Sequence, residues 1–263
     1  MSRRKLSLIL PTFRGGSAVD RAVERLGREL SPSDQSWEVI VVDDGGGDVD
    51  EARLRSLQPR VRLIRFPKNR GKGAAVRAGM LAAEGDVRVY TDIDIPYGVR
   101  AISDVAHYIL ARGFHVVVGD RTLKGSSYSL PTSIGRRTVS NVSSALIGRL
   151  VTGGFFDTQC GLKGFRGDIA QELFQLVRID RFAFDVEVLY VCLKHRLDIK
   201  RMPVRLENNS GSSVRLIRDT TRSAVDILRL KVYQTLGLYA NPVLEDIVSR
   251  EYFELHSHEK SPY

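Results

Sequence analysis

Short apolar runs alternate with longer amphipathic stretches through the first 120 residues. Runs at Leu6 to Leu10, Glu38 to Asp43, Val61 to Phe66, Val87 to Thr91 and His115 to Val118 are apolar at successive positions, which predicts parallel strands buried on both faces. Between them, apolar residues at helical spacing predict helices near Ala18 to Leu30, Asp50 to Leu57, Ala74 to Glu84 and Arg100 to Arg112. Gly85-Asp86 stops the third of these and Gly113 the fourth. Strands and helices in strict alternation predict an α/β fold, a mostly parallel sheet flanked by helices.

The pattern changes after residue 120. A Gly/Ser/Pro-rich segment, Lys124 to Pro131, is followed by a predicted helix near Ser133 to Leu150 and a polar turn from Gly153 to Gly161. Further on come a helix from Phe184 to His195, a strand at Ile199 to Leu206, a loop at Glu207 to Ser213 and a long helix from about Ile217 to Leu236. There is no internal repeat and no low-complexity linker, so residues 1–236 read as one domain and 237–263 as a C-terminal helical extension.

With 263 residues and 43% hydrophobic content, the chain can bury a substantial core, which argues against intrinsic disorder. Its formal charge of +9 favours anionic partners and says nothing about fold. Residues 200–235 hold eight Lys or Arg against three Asp or Glu, whereas residues 236–263 hold two against five. Two cysteines, Cys160 and Cys192, make neither a disulfide framework nor a thiolate metal site, so a reducing, cytoplasmic setting is expected. The apolar stretch Leu6 to Leu10 is too short for a cleavable signal, and 18 uncharged apolar residues never run together, so no spanning helix is expected. Nucleic-acid binding would want interleaved aromatics and a recognisable motif, and the basic segments have neither.

Candidate chemistry gathers at strand ends. Two predicted strands finish in acids, Val41-Val42-Asp43-Asp44-Gly45 and Tyr90-Thr91-Asp92-Ile93-Asp94, and open α/β sheets bind ligands beyond the carboxyl ends of their strands. On an extended segment, Asp92 and Asp94 project to one side and supply hard oxygen ligands for Mg²⁺ or Mn²⁺. Such a cation would stabilise a departing diphosphate. Asn69-Arg70-Gly71-Lys72-Gly73 opens the third helix with two cations and free backbone N–H groups, a combination suited to a phosphate. Alone, either motif is as readily a solvated turn.

Together with Leu8-Ile9-Leu10-Pro11-Thr12, these motifs resemble the nucleotide-sugar half of family 2 inverting glycosyltransferases with the GT-A fold. Downstream, Gly119-Asp120-Arg121, Asp157-Thr158-Gln159-Cys160-Gly161-Leu162-Lys163-Gly164-Phe165, Phe184-Asp185-Val186-Glu187 and the segment from Glu207 to Arg215 resemble the branch of dolichyl-phosphate glucosyltransferases and polyprenyl-phosphate glycosyl synthases. The resemblance implies a nucleotide-sugar half at 1–120 and an acceptor half at 121–236. It implies transfer of glucose, with inversion, from UDP-glucose to a polyprenyl or dolichyl phosphate, assisted by Mg²⁺ or Mn²⁺. Pro11, Thr12, Asp43, Asp44 and Lys72 would hold the nucleotide sugar, Asp92 and Asp94 the metal and diphosphate. Mannosyl members often carry a polar metal contact two places after the second acid; here that place is Pro96, so a third protein ligand is unassigned.

The resemblance sets acceptor contacts at Arg121, Arg136, Arg137 and Arg215, whose guanidinium forks suit phosphate oxygens. A phosphate acceptor is already ionised near neutral pH and needs little help from a base. A soluble or glycan hydroxyl acceptor would need one, and Asp157, then Asp185, are the candidates. A catalytically silent nucleotide-binding module is a further alternative, which both Asp92 and Asp94 argue against. The helix around Arg218 to Leu236 mixes bases with apolar residues and suits either peripheral contact with an anionic membrane or simple packing on the domain.

Overall fold

The computed structural model describes residues 4–31, 36–127, 157–181, 183–207 and 216–257, with the helical path alone for 216–224 and 255–257. Seven strands, β1 (Lys5–Thr12), β2 (Ser36–Asp43), β3 (Val61–Arg65), β4 (Val87–Tyr90), β5 (Val116–Asp120), β6 (Lys163–Arg166) and β7 (Ile199–Pro203), form one sheet in the order β3-β2-β1-β4-β6-β5-β7. All run parallel except β6, which pairs antiparallel with both β4 and β5. The described helices are α1 (Ser17–Leu30), α2 (Glu51–Leu57), α3 (Lys72–Ala82), α4 (Gly98–Arg112), α5 (Gly167–Leu176), α6 (Phe184–Lys194), α7 (Leu216–Thr235) and α8 (Pro242–Ser257).

Alternation along the strands divides the core into two layers. Leu8, Leu10, Val39, Val41, Val87, Val89 and Val117 face α1, α2 and α4, while Ile9, Ile40, Val42, Tyr90, Val116 and Val118 face α3, α5 and α6. The central strands are apolar on both faces, as the sequence predicts. The edge strand β3 differs: of its five residues only Val61 is buried, and among the described residues no strand pairs with its outer side. The predicted last strand stops at Pro203, after which Arg205 makes only an isolated bridge to Ser127. Nothing in the sequence pattern pointed to β6 or α5. The predicted helix near Ser133 to Leu150 lies outside the described residues.

The C-terminal helices dock on the second layer, where Leu230, Tyr239 and Leu244 are buried. One carboxylate organises this junction. Glu187, fully buried at the start of α6, accepts hydrogen bonds from the backbone N–H groups of Arg178 (3.0 Å) and Ile179 (2.7 Å) and from the Tyr239 hydroxyl (2.5 Å). Burial raises its pKa above the ordinary carboxylate value against the pull of these three donors.

Removing this acceptor leaves three donors without their partner, two of them, the Ile179 N–H and the Tyr239 hydroxyl, buried. Glu187→Ala is therefore expected to lower unfolding stability by about 2 to 4 kcal/mol, and Tyr239→Phe by about 1 kcal/mol. Urea midpoints measured on the two variants check the ranking; equal midpoints would remove Glu187 from this role.

Candidate active site

The sheet order reverses beside β1: β2 and β3 lie to one side, β4 to the other, so the crevice opens between the carboxyl ends of β1 and β4. Pro11 and Thr12 end β1 opposite Val42 and Asp43 of β2. Thr12 is buried, and its Oγ1 has no hydrogen-bond partner among the described residues.

The acids after β2 shape loops. Asp43 is fully buried; its carboxylate accepts from the N–H groups of Gly46 (2.7 Å) and Gly47 (3.0 Å) and pairs with Arg65 (3.2 Å). Asp44 accepts from the N–H groups of Arg70 (2.7 Å) and Gly71 (2.8 Å). The two loops touch through Gly45, at φ 76°, where a Cβ would stand 2.4 Å from the Lys68 carbonyl carbon. The amide of Ala74 donates to the Asp180 carbonyl (3.1 Å). The expectation of free N–H groups in the Asn69 to Gly73 loop is corrected at two positions: those of Arg70 and Gly71 are already used within the protein, as is that of Ala74 just after the loop. What the loop presents to the crevice is the Lys72 side chain.

The Asp92-Ile93-Asp94 segment also departs from expectation. It is a turn rather than an extended segment, closed by a hydrogen bond from the Ile95 N–H to the Asp92 carbonyl (2.9 Å). Ile95 sits at φ 46°, a left-handed conformation that costs a β-branched residue about 1 to 3 kcal/mol and is held here by its surroundings. Both carboxylates lie on this turn, half-buried. Lys72 Nζ reaches Asp92 Oδ1 at 2.5 Å. Burial opposes the ammonium charge, but Asp92, and Asp185 behind it, outweigh that and raise the Lys72 pKa. Asp92 Oδ2 lies directly over Gly161, where a Cβ would approach it to 2.2 Å.

Gly161 belongs to a segment, 157–161, that links the carboxylate turn to the end of β5. At its other end Asp157 is gripped by Arg121 in a two-pronged pair, Nε to Oδ2 at 2.8 Å and Nη2 to Oδ1 at 2.6 Å, and Oδ2 also accepts from the Arg121 N–H. Burial disfavours the Asp157 charge, but Arg121 outweighs burial and holds its pKa below the ordinary value; the Arg121 pKa is correspondingly raised. Asp120 turns its carboxylate to Thr122 and pairs with Arg201 (2.6 Å), which fixes the turn that carries Arg121. The predicted contacts Arg136, Arg137 and Arg215 lie outside the described residues, as do Gly153 to Phe156.

Below the site lies a group that sequence reasoning did not assemble. Lys163, fully buried in β6, donates to Asp185 Oδ1 (2.5 Å) and to the Cys160 carbonyl (2.8 Å), and the Tyr90 hydroxyl donates to the same Asp185 oxygen (2.6 Å). The signal was a lysine inside the apolar run Leu162-Lys163-Gly164-Phe165. Among the described residues no group of three His, Cys, Asp or Glu side chains could enclose a metal. Asp92 and Asp94 do fit a Mg²⁺ or Mn²⁺ site of the kind completed by substrate phosphates, which commonly uses one or two carboxylates.

A parallel sheet with one antiparallel strand, and a carboxylate turn at its switch point, places the protein in the GT-A class of glycosyltransferases. The chain belongs to glycosyl transferase family 2, whose sequence model matches residues 7–174. It is similar to the dolichyl-phosphate beta-glucosyltransferases of Dictyostelium discoideum, 31% identical over 89% of this chain and 76% of that protein, and of Homo sapiens, 27% identical over 90% and 78%. Among solved structures, glucosyl-3-phosphoglycerate synthase from Mycobacterium tuberculosis, crystallised with Mn²⁺, UDP and glucosyl-3-phosphoglycerate, shares the fold at 17% identity and a TM-score of 0.62, covering 86% of this chain and 80% of that one. Mannosyl-3-phosphoglycerate synthase from Rubrobacter xylanophilus does so at 15% and 0.59, covering 89% and 75%.

The Asp157 pKa is depressed on folding, so the pair contributes stability that is present above the unfolded carboxylate value, about 3.9, and is lost as pH falls through the lower folded value. Asp157→Asn is expected to cost about 2 to 3 kcal/mol at pH 7, less than a fully enclosed pair because Arg121 keeps part of its surface in solvent. Urea melts of both proteins at several pH values should show the difference narrowing below about pH 4. A gap unchanged down to pH 3 would contradict the ion pair.

Proposed function

We propose that the protein transfers glucose from UDP-glucose to dolichyl or another polyprenyl phosphate, with inversion at the anomeric carbon and with Mg²⁺ or Mn²⁺. The observation that carries this reading is the state of the two candidate bases. Asp157 is held by Arg121 with its basicity lowered, and Asp185 is engaged by Lys163 and Tyr90. A hydroxyl acceptor must lose a proton to a base, whereas a lipid monophosphate arrives largely ionised. The arrangement favours the phosphate. The relatives' transfer of glucose to dolichyl phosphate, and the UDP and Mn²⁺ bound by the structural neighbour, support the same substrates.

In this reading Pro11 and Thr12 border the nucleoside, and Asp43 and Asp44 hold the loops that enclose it. Lys72 lies where it can pass from Asp92 to the donor diphosphate. Asp92 and Asp94 would hold the divalent cation, which when bound neutralises charge on the diphosphate. Arg121, backed by Asp157, orients the acceptor phosphate, together with Arg136, Arg137 and Arg215 from segments outside the described residues. An acceptor phosphate oxygen bonds to C1 of glucose as the bond from C1 to the diphosphate oxygen breaks, so UDP leaves with that electron pair. With an α-linked donor the product is β-linked. A lipid acceptor sets the reaction at a membrane surface, and we propose its cytoplasmic face.

The direct test pairs UDP-glucose and GDP-mannose with a polyprenyl phosphate and with the corresponding free alcohol, in Mn²⁺, Mg²⁺ or EDTA. Glucosylation of the phosphate alone, lost in EDTA, is expected. Transfer to the alcohol but not the phosphate would overturn the reading. Asp92→Asn and Asp94→Asn are each expected to lower kcat/KM by about a hundredfold or more, since each removes a charge from the cation site; near-normal turnover in either variant would sink the metal assignment.

A further inference from the structure

α7 has three distinct ridges. Leu230 is fully buried against the domain, with Ile227 and Tyr233 half-buried beside it. On the outer ridge Val225, Leu228, Val232 and, just past the last residue of α7, Leu236, whose N–H still bonds the Val232 carbonyl, are 52%, 66%, 49% and 64% exposed at spacings of three and four residues. Residues at such spacings share one helical face. Exposed bases flank that apolar ridge, Arg229 on one side and Lys231 on the other.

The third ridge, Asp226, Arg229 and Tyr233, forms one wall of a cleft of about 200 Å³ whose other walls are Arg70, Arg178 and Arg181. The cleft holds four guanidinium groups against the carboxylates of Asp180 and Asp226, and Asp180 is also paired to Arg77 at 2.6 Å. Its floor is fixed. The backbone of Arg178 and Ile179 is clamped by Glu187, and the Arg181 carbonyl accepts from the Phe184 N–H at 3.1 Å. No described helix is long and apolar enough to cross a membrane.

We propose that this face docks on an anionic phospholipid leaflet, with the apolar ridge of α7 entering the headgroup region and the arginine cleft gripping lipid phosphate. A stripe of valine and leucine alone would suit a protein partner equally. The bases on both flanks and the net positive cleft beside them match an anionic bilayer, to which apolar insertion and charge both contribute. Guanidinium forks are shaped for phosphate oxygens. Arg70 lies two residues from Lys72, so docking brings the rim of the crevice to the leaflet that would hold a lipid acceptor; this last point rests on the proposed reaction.

The test is co-sedimentation of the whole chain with vesicles of phosphatidylcholine alone and of phosphatidylcholine with phosphatidylserine, at low and high salt. Binding to the anionic vesicles and not the neutral ones is expected, weakening in salt. Leu228→Glu with Val232→Glu should reduce binding more than about tenfold. Arg178→Ala and Arg229→Ala should each reduce it about fivefold and flatten the salt dependence. Thermal melts followed by circular dichroism confirm that the variants fold, and transfer to a short, water-soluble polyprenyl phosphate should be unchanged in all of them. Equal binding by the glutamate variant and the parent, equal binding to both vesicle types, or no binding to either, would overturn the proposal. Anionic-vesicle binding that responds to the variants, in a protein inactive on every polyprenyl phosphate, would uphold the surface and refute only the reaction.

Discussion

Lys163 carries a side chain with no solvent access into the middle of the sheet, and the fold around the crevice is arranged to answer it. Removing one partner of a buried ion pair commonly costs about 3 to 5 kcal/mol, so Asp185 must stand where Lys163 needs it. That single pair ties β6 to the start of α6, and Tyr90 brings β4 to the same oxygen. The hydrogen bond from Lys163 to the Cys160 carbonyl then fixes the segment before β6. Because 157–161 touches Arg121 at one end and Asp92 at the other, placing its middle places both. The antiparallel course of β6 serves the same end, since only a strand entering from the carboxyl end of the sheet can deliver its preceding loop to the crevice.

The remaining acids divide between shaping and chemistry. Asp43 and Asp44 accept backbone N–H groups from two glycine-rich loops and so convert flexible segments into a rigid rim. Asp44 thereby engages two amides just ahead of α3, those of Arg70 and Gly71, that would otherwise be available to an anion. In the proposed reaction Lys72, whose Nζ reaches Asp92 Oδ1, adds side-chain positive charge at this rim. Its present contact with Asp92 keeps it pointed into the crevice.

The fold was largely readable because buried parallel strands and amphipathic helices leave strong periodic signals, and the first five strands each have one. β6 leaves none. Lys163-Gly164-Phe165-Arg166 has one large apolar residue and no β-branched one, and its place between β4 and β5 depends on long-range pairing. Charge position was legible where acids ended strands, at Asp43, Asp44, Asp92 and Asp94. Local conformation was not: the Asp92 turn depends on Ile95 adopting a conformation its own chemistry disfavours, which tertiary contacts impose. Whether an amide in the Asn69 to Gly73 loop is free depends likewise on partners 26 and 27 residues away in sequence. Residue types can nominate donors and acceptors, but only the fold allots them.

That allotment bears on the choice of acceptor. A carboxylate that must take a proton needs an accessible oxygen and a pKa close to the working pH. Asp157 has neither, because three donors from Arg121 surround it and lower its basicity. The same fork makes Arg121 a better anion guide, since its planar guanidinium is held in one orientation by a partner that is itself buried. An arrangement poor at removing protons and good at orienting anions is coherent for an acceptor that arrives already charged. It would be a handicap for a hydroxyl acceptor, where the ion pair would have to open before the carboxylate could act as a base.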